Sequence, residues 1–189
     1  MILGVLFIVA VAAIVTFNLY SSGGKKEGTP VVTDYKNATY LIDGQPVTLS
    51  NGVSEVEAAP GSASKIVTRA FSTGLNTDLN GDGAQDVVFL LTQNTGGSGT
   101  FYYVVAALNT KDGYVGSDGY LLGDRIAPQT LEISQNPAQK GVIVANYADR
   151  APGEPMSAQP SVGKSAYLKL DPDTMRWGVV APNFEGESR

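Results

Sequence analysis

Residues 78–86 read DLNGDGAQD and place oxygen-bearing side chains at alternate positions of a short, glycine-containing stretch. Calcium takes six to eight oxygen ligands, and alternate residues of a tight loop can turn theirs toward one centre. In that arrangement Asp78, Asn80 and Asp82 supply side-chain oxygens and Ala84 its backbone carbonyl. Asp86 supplies a carboxylate, bound directly or through water. Gly83, sixth in the loop, permits the left-handed turn that brings these groups together. The expected cofactor is therefore Ca2+, held by Asp78, Asn80, Asp82, Ala84 and Asp86.

Composition narrows the chemistry further. The chain has 189 residues, no Cys and no His, with a formal net charge of −5. Thiol nucleophiles, disulfides, Cys/His zinc sites and His-based triads are excluded. Metal sites must be built from oxygen, which favours calcium or magnesium. Mild acidity without a Lys/Arg cluster argues against a nucleic-acid partner. Residues 158–165 (AQPSVGKS) match a loose phosphate-loop pattern, but an alternating SAYLKL follows, where a phosphate loop needs a helix. No nucleotide partner is expected. Ser161 and Lys164 match a Ser-x-x-Lys motif without its companion motifs, so no catalytic residue is assigned.

A loop of this kind needs rigid elements on both sides. Residues 86–93 (DVVFLLTQ) and 100–108 (TFYYVVAAL) are the most apolar runs of the chain body, joined by NTGGSG at 94–99. They predict the central hairpin of a sheet covered on both faces by a short helix or a second sheet. Further strands are predicted at 38–42 and 46–49 around a 43–45 turn, and at 65–71, 119–122, 130–134, 141–147, 165–170 and 177–180. Gly and Pro number 22 and 10, a turn-rich balance that suits short strands. The expected fold is mainly β, an antiparallel sheet or sandwich with little helix. One N-terminal transmembrane helix precedes it.

That helix is residues 1–20, MILGVLFIVAVAAIVTFNLY, and the first charged side chain is Lys25. About 20 apolar residues span a bilayer core of roughly 30 Å. Phe17, Asn18, Leu19 and Tyr20 make a poor signal-cleavage site, so an uncleaved anchor is expected. The expected organisation is a transmembrane anchor at 1–20 and a flexible tether at 21–34. A β-rich calcium-binding domain follows at 35–183, with a tail at 184–189. Lys25 and Lys26 after the helix favour a cytoplasmic domain by the positive-inside rule, whereas a loop that binds calcium weakly is useful only outside a cell. The extracytoplasmic placement, at a cell surface or in a periplasm, is preferred. A charged leader upstream of residue 1 would reconcile the two.

The loop resembles the front of an EF-hand but has Phe89 where an EF-hand places its bidentate Glu. It is closer to the short D-x-[DN]-x-D-G-x-x-D loops of FG-GAP/VCBS-type extracellular β proteins, which a strand follows directly, as residues 87–91 follow here. A wider resemblance spans residues 35–170, through YKNATYLIDGQPVTLSNGVSEVEAAPGSASK, FLLTQNTGGSGTFYYVVAAL, LLGDRIAPQTLEI and VIVANYADRAPGEPM. It is to an uncharacterised bacterial family of exported, membrane-anchored proteins, and it implies a compartment but no activity.

These readings lead to a non-enzymatic, calcium-stabilised extracytoplasmic domain with a binding or surface-structural role. Its expected partners are the membrane, through residues 1–20, and itself or a surface protein or glycan. One alternative is a pilin-like subunit of a surface filament, suggested by the apolar start; residues 21–28 and Val5, where a Glu is customary, speak against it. The other is an envelope-acting carboxylate-based hydrolase. It would need acidic groups in one cleft, for which Asp124, Asp149 and Glu154 are the candidates. The bland reading of Asp124-Arg125 and Asp149-Arg150 is local ion pairing that closes loops.

Overall fold

The computed structural model describes residues 31–181. By its contacts the chain divides into Met1–Pro30 and Val31–Arg189. The expected anchor, the expected tail and residues 21–30 of the expected tether lie outside the described residues. Among the described residues no helix is long and apolar enough to cross a membrane.

The described chain is built from strands β1 (Thr39–Ile42), β2 (Gln45–Thr48), β3 (Val53–Glu57), β4 (Lys65–Ala70), β5 (Leu75–Thr77), β6 (Asp86–Asn94) and β7 (Phe101–Thr110). They continue as β8 (Gly113–Gly116), β9 (Tyr120–Asp124), β10 (Ala127–Ile133), β11 (Val142–Asp149), β12 (Val162–Asp171) and β13 (Arg176–Val179). Two short 3₁₀ turns, Tyr35–Asn37 and Pro137–Gln139, are the helical elements among them. All strand pairs between these elements are antiparallel.

Three layers result. β6 and β7 form the centre of a seven-stranded sheet in which β4 and β5 share the outer edge of β6, while β8 and β9 share that of β7. Strand side chains alternate between faces. Val87, Phe89, Leu91, Tyr103, Val105 and Ala107 therefore share one face, where they meet Ala38, Tyr40, Ile42 and Leu49 from the β1–β2 hairpin region. Val88, Leu90, Val104, Ala106 and Leu108 take the other and pack on Ile143, Ala145, Leu168 and Leu170 of a sheet ordered β10-β11-β12-β13. Each fully buried Val, Leu or Phe contributes about 1.5–3 kcal/mol of transfer free energy. This double covering is the physical cause of the unbroken apolar runs.

The expected central hairpin is confirmed, with Val87 opposite Ala107 and Gln93 opposite Phe101. β3, β5 and β8 were not anticipated. They are short, and their inward residues are not a clean alternation: β3 is half-buried to exposed along its length, so periodicity carried little signal. Close packing holds the hairpin layer on. Leu41 N–H donates to Ser117 O (3.1 Å) and Gly119 N–H to Leu41 O (2.7 Å). Gly116 lies so near β1 that a Cβ there would stand 2.2 Å from Thr39 O.

Candidate functional site

The stretch 78–86 forms one compact loop between β5 and β6, and its hydrogen bonds explain why. Asp78 accepts Gly81 N–H on Oδ1 (2.7 Å) and Gly83 N–H on Oδ2 (3.0 Å). Asn80 Oδ1 accepts Asp82 N–H (3.1 Å), and Asp82 Oδ1 accepts Ala84 N–H (2.7 Å). Such side-chain acceptance of an amide two or more residues ahead is how Asp and Asn nucleate turns. Gly81 and Gly83 sit at φ +82° and +87°, which only glycine adopts without strain.

Asp86 differs from the rest. It is fully buried and accepts Leu79 N–H on Oδ2 and Asn109 N–H on Oδ1, both at 2.8 Å. One carboxylate thus ties the loop to the first residue of β6 and the end of β7. Burial raises its pKa; the Asn109 and Leu79 amides pull the other way, and the nearby Asp82 and Asp78 charges raise it again. Asp82, exposed, is held below the usual carboxylate range by the Ala84 amide and then Asn80.

The expected ligand residues are therefore brought together in one loop, with their donor types in the order the sequence implied. Their side chains turn onto loop amides. Asn80 Nδ2 donates to Asp82 Oδ2 (2.9 Å), and among the described residues no three acidic groups are arranged around a common ion position. The residues that would hold an ion here are Asp78, Asn80, Asp82, Ala84 and Asp86, and their oxygens would have to exchange these internal donors for it. The donor set is all oxygen, the chemistry that a hard cation takes. Sequence reasoning missed the structural partners of Asp86, Leu79 and Asn109. The signal for Asp86 was its place at the head of an apolar run; Asn109, distant in sequence, carried none.

The other motifs resolve into structure. Gly163, Lys164 and Ser165 lie within β12, so no phosphate loop exists there, and Lys164 Nζ pairs with Asp149 (2.7 Å). Arg125 pairs with its neighbour Asp124 (3.1 Å). Arg150 does not pair with the adjacent carboxylate: its guanidinium donates to Ala158 O (2.8 Å) and Arg125 O (3.0 Å). Glu154 accepts Ala151 N–H (2.8 Å). Glu154 closes its loop locally, whereas Asp149 joins β11 to β12 through Lys164 and Asp124 also accepts Thr100 N–H (2.8 Å). The NTGGSG link is tied by Asn94, which donates to Gly99 O and accepts Gly96 N–H.

No family model, no curated protein and no solved structure matches this chain.

Proposed function

We propose that the chain is a calcium-stabilised, non-enzymatic β module with a binding or structural role at a cell surface, tethered to a membrane by residues 1–20. The observation that carries this reading is the loop at 78–86. Its oxygen donors lie in calcium-loop order on a glycine-dependent turn, and a buried carboxylate clamps it to the central hairpin. Burial is the chief cause that raises the pKa of Asp86, and the nearby Asp82 and Asp78 charges add to it; a divalent cation would offset that charge repulsion. The membrane part of the reading is supported by the apolar run of residues 1–20, and the surface part by the weak calcium affinity such a loop would have.

Three carboxylates without a terminal Glu imply a Kd on the order of 10⁻⁴–10⁻³ M, suited to extracellular calcium. The test is calcium titration of the full chain in detergent micelles, by calorimetry and thermal melting, beside Asp82→Ala. At about 5 mM calcium the linkage relation gives about 1–2 kcal/mol of stabilisation, or about 3–7 °C in Tm. Saturable heat with that rise, both lost in Asp82→Ala, supports the reading. No heat and no shift removes the calcium site.

A further inference from the structure

The β1–β2 hairpin does not cover its face of the seven-stranded sheet completely. Beyond its tip lies a pocket of about 250 Å³ lined by Asp43, Gln93, Thr95, Phe101, Tyr103 and Leu121. The register places these residues together: Gln93 is opposite Phe101, and Tyr103 is opposite Leu121. Asp43 overhangs them from the hairpin turn. Phe101, Tyr103 and Leu121 make the floor apolar, and Leu121 is left 46% exposed.

The polar groups of this pocket are unequally committed. Tyr103 donates its hydroxyl to Asp43 Oδ2 (2.8 Å), and Gln93, itself buried, turns its Nε2 to Thr68 Oγ1 (3.0 Å). The one donor of Tyr103 and one of the two amide N–H groups of Gln93 are thus directed at protein partners. Asp43 Oδ1 and Gln93 Oε1 receive no protein donor among the described residues. A small apolar pocket that offers a carboxylate oxygen and an amide oxygen, beside an aromatic ring, is complementary to a group with several N–H donors and no acceptor. An ammonium on an aliphatic stem is such a group, and an aromatic face adds cation–π attraction.

We infer that this pocket binds a primary alkylammonium group, presented by a free amine or by a lysine side chain of a partner. The volume suits one such chain rather than a drug-sized ligand. The net charge of −5 favours approach of cations over anions. The pocket shares no residue with the loop at 78–86, so this inference stands or falls apart from the calcium reading.

Asp43 provides a clean test, because Asp43-Gly44 turns with both residues at positive φ, +51° and +75°. Asn-Gly is equally suited to that hairpin turn, so Asp43→Asn removes the charge and keeps the fold. The full chain is titrated with pentylamine, with Nα-acetyl-lysine methylamide, and with uncharged pentanol, following backbone amide NMR shifts. Saturable shifts at Asp43, Phe101 and Leu121 with at least one amine, in the millimolar range or weaker because an exposed ion pair adds little, are the expected result. Asp43→Asn weakens binding about threefold to fivefold, and pentanol does not compete. Binding of both amines assigns the pocket to peptide lysine as well as free amine; binding of pentylamine alone assigns it to free amines. Absence of shifts with either amine overturns the inference, as does equal affinity in Asp43→Asn that folds like the parent. Leu121→Asn, which leaves the pocket's charge unchanged but removes its apolar floor, is expected to weaken binding too; unchanged binding there would also overturn it.

Discussion

Asp86→Asn separates two views of the buried carboxylate, loop anchor or group kept in reserve for an ion. Asp86 receives two main-chain N–H groups, one per oxygen, at 2.8 Å. Asparagine offers one acceptor and turns an NH2 toward the other amide, so one buried N–H loses its partner. Stranding a buried donor costs about 1–3 kcal/mol. Relief of a buried charge, whose cost is visible in the raised pKa, offsets part of this. The net expectation is a loss of about 1–2 kcal/mol, or about 3–6 °C in Tm for a domain of this size. The assay is urea and thermal unfolding in excess EDTA, so that metal does not contribute. Hydrogen exchange should locate the loss at the Leu79 and Asn109 amides. The pH dependence has a definite sign. A carboxyl whose folded pKa is raised favours the folded state increasingly as pH falls from that pKa to the ordinary carboxylate range. The deficit of the variant relative to the parent therefore widens on acidification through that window. Equal or greater stability of Asp86→Asn in EDTA would refute the anchoring argument and mark the carboxylate as held at a cost in the ion-free fold.

Other expectations follow from packing and charge. Gly116→Ala drives a Cβ against the Thr39 carbonyl, a backbone atom that cannot rotate away, and should cost about 2–3 kcal/mol. Exchange protection lost first in β1 and β2 would confirm the cause. Asp149 is held below the usual carboxylate range, chiefly by Lys164 and then by the Arg150 amide. Its stabilisation is present above the ordinary carboxylate pKa and is lost as pH falls through its depressed value, so Asp149→Asn should flatten the acid limb of a stability–pH profile. Trp177 Nε1 is buried without a hydrogen-bond partner among the described residues. Trp177→Phe removes that stranded donor, whose cost of about 1–3 kcal/mol offsets the lost ring area. Its urea midpoint should stay close to that of the parent; a drop like that of a core truncation would place an unseen acceptor at the nitrogen.

Local chemistry was legible in the sequence where a few neighbouring residues decide the outcome. The loop at 78–86 closes on its own amides because Asp, Asn and Gly at those spacings favour such turns. Asp43-Gly44 turns the first hairpin for a similar reason, and the apolar runs at 86–93 and 100–108 declared a strand pair buried on both faces. The tertiary structure alone decided what covers each face, because an alternating strand pattern names the buried side without naming its partner. It also decided that Asp86 is an anchor. Asn109, which holds it, is 23 residues away in sequence and meets it only once β6 and β7 pair. β3, β5 and β8 exist because neighbouring strands recruit them, and their own residues do not announce it. The amine pocket has the same origin. Asp43, Gln93, Phe101 and Leu121 come from four separate segments, and the open oxygen of Asp43 has meaning only because Tyr103 occupies the other.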